Sequence, residues 1–227
     1  MTRRLILARH GQTLYNATQR MQGQLDTALS PEGEAQASEA ARLLVGRGIA
    51  RIVASDLERA ARTARIIAEE LGLPVTTDPR LRETHLGRWQ GKTHREVDAA
   101  HPGARAAWRH DASWAPPGGE SRLEVARRAR PVIEELMARY AQWDDAAVLV
   151  VAHGGTIAAL TGSLLDLNAE QYPLLSGLNN AHWAQLTARP RFIPGGTDAL
   201  DPGVLPRRED ATVAQAQWYL DAWNMGA

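Results

Sequence analysis

Strand-like runs at about 4–8, 51–55, 74–78 and 148–152 alternate with stretches of helical period, and this alternation constrains the fold most. Ser30-Pro31-Glu32 supplies a serine cap followed by proline at the first helical position. Ala37, Ala40, Ala41, Leu44 and Val45 then keep helical spacing up to Gly46 and Gly48. Residues 57–71 repeat the pattern through Ala61, Ala64, Ile67 and Leu71, and stop at Gly72 and Pro74. The order strand–helix–strand–helix–strand predicts an α/β fold: a mostly parallel central sheet with helices on both faces. Ser121 and Glu124 fit a capping box for a helix to about Tyr140, which Pro131 should kink or restart. A further helix is expected over 156–167. Residues 79–120 break the rhythm with Trp89, Trp108, Trp114 and Pro116-Pro117-Gly118-Gly119. They read as a small cap insertion of loops, with one short helix capped by Thr93 and Glu96. The tail predicts two strands, about 181–187 and 212–219. The Pro/Gly-rich segment between them, 188–211, is expected to be partly mobile. The whole of 1–227 reads as one domain.

Composition narrows the partners. Lys plus Arg and Asp plus Glu number 26 each, so no net charge points to nucleic acid or an anionic membrane. There is no cysteine, which excludes disulfides, thiolate catalysis and thiolate metal sites. The apolar run near the N-terminus is too short for a signal peptide, so a soluble cytoplasmic protein is expected.

Chemistry gathers at the strand ends. In an open parallel sheet, ligands bind beyond the carboxyl ends of the strands. Arg9 and His10 follow the first strand, Asp56 to Arg59 the second, Glu83 the third and His153 the fourth. Two arginines, two histidines and helix N-termini make a cationic pocket in a neutral protein, and a phosphate ester is its natural occupant. In that pocket His10 is the candidate nucleophile, forming a phosphohistidine. Glu83 is the candidate acid for the leaving alkoxide. Arg9, Arg59 and His153 would hold the equatorial oxygens. Gly11 leaves the backbone free for close approach or a positive φ, and Gly154 stands in the same place after the second histidine. Taken singly, Arg59 could belong to a surface pair, and Glu83 could pair with Arg80 or Arg82. His94, His101 and His110 lack acidic partners and compact spacing, so no metal site is expected from them.

The pieces "RHGQT", "MQGQLDTALSPEG" (21–33), "SDLERAARTA" (55–64), "LRETHLGRWQG" (81–91), "PGGES" (117–121) and "VAHGG" (151–155) span most of the chain. In this order they resemble the histidine phosphatase, or phosphoglycerate mutase-like, family. The resemblance implies that His10 is the phosphorylated residue, that Arg9, Arg59 and His153 form the phosphate pocket, and that Glu83 donates the proton. It places Asn16, Gln22 and Gly23 at the pocket rim. It implies a small phosphate ester as substrate and no metal or organic cofactor, and a homodimer is the expected assembly.

"RMQGQLDT", "PGARAAWRHDASWAPPGGES" and "NAHWAQL" are similar to the members of that family that dephosphorylate glucosyl-3-phosphoglycerate. Arg88 departs from the pattern, standing where many relatives carry an acidic residue. Arg88, Arg95, Arg105 and Arg109 are the candidate contacts for a carboxylate and a sugar. Three alternatives stand beside this. One is a cofactor-dependent phosphoglycerate mutase, against which count the short cap and Gln24-Leu25-Asp26 in place of a Trp-Asp pair. The others are a broad-specificity sugar-phosphate phosphatase and a catalytically silent phosphate-binding protein.

Overall fold

The computed structural model describes residues 2–190 and 216–226. β1 (Arg3–Arg9), β2 (Ile49–Ala54), β3 (Val75–Thr77), β4 (Ala147–Ala152), β5 (Trp183–Pro190) and β6 (Ala216–Met225) form one sheet, in the order β3-β2-β4-β1-β5-β6. The first four strands run parallel. β5 pairs antiparallel with β1, and β6 with β5. The helices are α1 (Leu14–Ala17), α2 (Pro31–Leu44), α3 (Glu58–Leu71), α4 (His94–Ala100), α5 (Ala104–His110), α6 (Arg122–Arg139) and α7 (Gly154–Leu164).

Alternation along the central strands separates two cores. Leu5, Leu7, Val148 and Val150 face α6 and α7, meeting Val132, Ile133, Ile157 and Leu160. Ile6, Ala8, Leu149 and Val151 face α2 and α3, meeting Ala41, Leu44, Ala64 and Ile67. β1 and β4 are therefore buried on both sides, as a parallel sheet between helix layers requires. Cutting a side chain such as Leu7 or Leu149 back to Ala would cost about 2–5 kcal/mol, the lost transfer energy plus the cavity.

Local signals set most helix ends. Ser30 accepts a hydrogen bond from Gly33 N–H, and Gly72 closes α3 in the left-handed region at φ 66°. The boxes at Thr93/Glu96 and Ser121/Glu124 both form. Four expectations need correction. The cap carries a second helix, α5, which starts at Gly103 without a side-chain cap and has no buried face of its own to signal it. A one-turn helix, α1, interrupts the loop after β1. α6 does not restart at Pro131 but continues as one helix, with Ala129, Val132, Ile133 and Leu136 packed on the sheet across the lost backbone bond. α7 begins at Gly154, not Thr156, and ends at Leu164. Residues 188–190 belong to β5, and the rest of the segment expected to be mobile lies outside the described residues. Among the described residues no helix is long and apolar enough to cross a membrane.

Candidate active site

Strand register brings the two histidines together. Arg9 pairs with Ala152 across the β1–β4 ladder, and His10 N–H donates to the Ala152 carbonyl. His10 and His153 therefore leave adjacent strands at the same level, their ring centroids 5.1 Å apart. Both are buried, at 2% and 0% exposure. β2 ends one residue on, so Ser55 reaches His153, Oγ to Nε2 at 2.8 Å. α3 then carries Arg59, 1% exposed, in its first turn, with Nε 3.3 Å from His10 Nε2.

A hydrogen bond assigns the tautomer of His10. His10 Nδ1 lies 2.7 Å from the Gly11 carbonyl. A carbonyl only accepts, so Nδ1 carries the proton and Nε2 keeps its lone pair, turned to the Arg59 Nε–H. Ser55 Oγ accepts from Leu57 N–H and shares a hydrogen bond with His153 Nε2. His153 Nδ1 has no hydrogen-bond partner among the described residues, and neither has buried Arg9 Nε. Both lie at the first turn of α7: a Cβ on Gly154 would sit 3.6 Å from Arg9 Nε. Unpaired buried polar groups cost free energy, and an anion at a helix N-terminus would satisfy the Arg9 donor.

Electrostatics agree. Burial, then Arg59 and Arg9, holds His10 well below the usual histidine range. Burial, then Arg59, His10 and Arg9, does the same for His153. Both rings are therefore neutral at pH 7. Burial pulls Arg59 down to about 10, against the attraction of Glu83 and Asp26, so it remains a cation. Burial likewise lowers Arg9, opposed by Glu83.

The remaining predicted residues take distinct places. Glu83 comes after a turn of 3₁₀-helix (Pro79–Leu81), not directly from β3. Its carboxylate accepts from Gly155 N–H at 3.2 Å, Thr156 N–H at 3.1 Å and Thr84 N–H at 2.8 Å. It thus sits on the N-terminus of α7, beside the two unpaired nitrogens. Arg80 and Arg82 bind Asp78, Glu135 and Asp56 rather than Glu83. Gly11 donates to Thr63 Oγ1, and its missing side chain admits the α2 start: a Cβ there would lie 2.2 Å from the Gly33 carbonyl. Gln22 is buried and accepts from Thr13 and Thr27. Gly23 has φ +56°, and its carbonyl and that of Leu25 take the two Nη groups of Arg59. Asn16 accepts from Thr13 and from Asn180. Arg105 is paired with Asp98, and Arg88, Arg95 and Arg109 are exposed. Among the described residues no group of three His, Cys, Asp or Glu side chains could hold a metal ion.

Sequence reasoning passed over Ser55 and Asn180. Ser55 follows from the same strand-end argument that found Arg59. Asn180 donates to the His10 carbonyl at 3.1 Å, from the "NAHW" stretch before β5, where only the chain's return to β1 marks it.

Comparison with known proteins agrees with this geometry. Residues 5–192 match the histidine phosphatase superfamily (branch 1). The glucosyl-3-phosphoglycerate phosphatase of Mycolicibacterium vanbaalenii is 52% identical over 229 residues, covering 99% of this chain and 96% of that protein. The enzyme of the same name from Mycobacterium tuberculosis is 49% identical over 230 residues, with the same coverage. The solved structure of a mycobacterial glucosyl-3-phosphoglycerate phosphatase in complex with VO3 superposes with a TM-score of 0.86 at 48% identity, covering 99% of this chain and all of that one. With a match over most of its length and relatives at about half identity, this chain belongs to the histidine phosphatase superfamily.

Proposed function

We propose that this protein hydrolyses a phosphate monoester through a phosphohistidine at His10, and that its substrate is glucosyl-3-phosphoglycerate. One observation carries the phosphate reading: Arg9 Nε and His153 Nδ1 are both buried without a hydrogen-bond partner among the described residues, with the His10 and His153 rings 5.1 Å apart at the start of α7. The substrate is carried by relatives of that name at about half identity over nearly the whole chain.

The steps follow from the groups present. The phosphoryl group enters between Arg9, Arg59 and His153, which meet its three equatorial oxygens. His10 Nε2 gives up its bond from Arg59 and attacks phosphorus. The P–O bond to the glyceryl oxygen breaks, and Glu83 in its neutral form delivers the proton to that oxygen. Water then attacks phosphorus, Glu83 takes its proton, the P–N bond breaks, and phosphate leaves with His10 neutral again. Fixed donors in a buried site stabilise the charge at each step, each worth about 10²–10³-fold. Asn16, Gln22, Gly23 and the exposed cap arginines are the proposed contacts for the glycerate and sugar. A site that hydrogen-bonds a sugar rejects the analogue lacking it.

Phosphate release from glucosyl-3-phosphoglycerate, 3-phosphoglycerate, fructose 2,6-bisphosphate and p-nitrophenyl phosphate tests both parts. The expected result is kcat/KM for the glucosylated substrate at least about tenfold above 3-phosphoglycerate, unchanged by a chelator, since protein cations meet the phosphate charge. Equal values for those two would remove the glucosyl preference alone. Activity restored only by added Mg²⁺ or Zn²⁺ would remove the mechanism.

A further inference from the structure

Glu83 lies on a connecting segment, outside any helix or strand, yet an acid must reach the leaving oxygen within a hydrogen-bond distance. A misplacement of about 1 Å can cost roughly a hundredfold. The backbone around Glu83 is held from three directions. Thr156 Oγ1 on α7 donates to the Arg82 carbonyl at 2.7 Å. Arg128 on α6 donates through Nη2 to the Glu83 carbonyl at 2.9 Å and through Nη1 to the Arg80 carbonyl at 2.7 Å. Gln24 Nε2, from the rim loop, donates to the same Glu83 carbonyl at 3.0 Å. Arg128 is itself oriented by Glu120, with Nε to Oε1 at 2.8 Å and Nη2 to Oε2 at 2.9 Å. Glu120 Oε2 also accepts His85 N–H at 2.8 Å, so the pair holds the chain on both sides of Glu83.

We infer that Arg128, oriented by Glu120, is a positioning residue that aims the Glu83 carboxyl at the leaving-group oxygen. Every nitrogen of its guanidinium is engaged, in a fork that a lysine does not reproduce. Apart from Glu120 its hydrogen bonds go to backbone carbonyls, and it meets no reacting atom. A purely structural pair would join α6 to the cap, and its loss would slow all substrates alike. A positioning pair is felt where the leaving group needs a proton.

The inference rests on Glu83 being the acid, so Glu83→Gln is measured beside Arg128→Gln. Single-turnover release of the leaving group reads phosphoryl transfer alone. For Arg128→Gln we expect this step to slow about 10–100-fold with the best alkyl phosphate of the panel, and by less than about threefold with p-nitrophenyl phosphate, whose phenolate leaves unaided. Inhibition by inorganic phosphate should shift by less than about threefold, and Arg128→Lys should fall between wild type and Arg128→Gln. Equal slowing of both substrates, or slowing of neither, overturns the positioning role. If Arg128→Gln does not fold, Glu120→Gln, which keeps shape and removes charge, decides by the same selectivity at smaller amplitude. Selectivity in Glu83→Gln without it in Arg128→Gln overturns only the role of Arg128. Equal losses in Glu83→Gln overturn the assignment of the acid and this inference with it.

Discussion

The turns after β1 and β4 look alike in sequence, His-Gly after a buried strand, yet they present opposite ends of the imidazole to the pocket. At His10 a backbone carbonyl holds Nδ1–H and leaves Nε2 as a lone pair. At His153 a serine side chain holds Nε2 and leaves Nδ1 without a partner among the described residues. The glycines differ as well: Gly11 is there for a contact with α2, whereas a Cβ on Gly154, which opens α7, would make only an ordinary contact with Arg9. On the proposed reading, one turn supplies a nucleophile and the other an anion donor. Second-sphere hydrogen bonds, not residue type, separate the two roles.

Exchanging the roles is the hardest test of that contrast. His10→Ala should lose at least about 10³-fold in turnover and all acid-labile phosphate on the protein, whereas His153→Ala should lose about 10²–10³-fold yet still acquire label slowly. Label that survives in His10→Ala but not in His153→Ala would reverse the assignment.

The glycines should separate in stability. Gly11→Ala puts a methyl against the Gly33 backbone at 2.2 Å and should cost at least about 2–3 kcal/mol in chemical denaturation. Gly154→Ala meets Arg9 at an ordinary 3.6 Å and should lie between no change and a gain of about 1 kcal/mol from helix propensity. Similar losses at both positions would mean that the two turns are equally crowded.

Acid should act on both histidines alike. Each is held neutral in the folded state, below its unfolded value. Below about pH 6.5 the unfolded chain binds protons that the folded one refuses, so stability falls as pH falls. Between pH 7.5 and 5.5 each histidine should contribute a loss of roughly 1–1.4 kcal/mol. His10→Gln should remove one share of that slope, and an unchanged slope would show that His10 takes up its proton in the folded protein.

The smallest effect separates side-chain from backbone control. Ser55→Ala deletes the partner of His153 Nε2 and frees the ring to present either nitrogen, so kcat/KM should fall about five- to tenfold, one hydrogen bond's worth. Labelling of His10, whose Nδ1 is held by backbone, should remain complete. Loss of labelling in Ser55→Ala would mean that the two rings are held as one unit.

Much of this was legible beforehand because its causes are local. The caps at Ser30, Thr93 and Ser121 each need only a side chain and the amide three residues on. The strand ends at Arg9 and His153 are marked by apolar runs that stop abruptly. α5 and α1 were missed because their turns are short and carry no apolar period, and Pro131 misled because sheet packing, invisible in the helix itself, holds α6 together.

The sequence by itself determined which residue types would stand at the carboxyl ends of three of the parallel strands, β1, β2 and β4, and so the cationic character of the crevice. Hydrophobic period and turn chemistry act within a few residues, and they suffice for that. Only the tertiary structure decided which imidazole nitrogen faces the pocket, which buried nitrogens go unpaired, and what steadies Glu83. Those outcomes depend on Ser55, Asn180, Gln24 and Arg128, which reach the site from four separate segments. The direction of a hydrogen bond between distant segments is set by strand register and helix packing, and no local pattern encodes it.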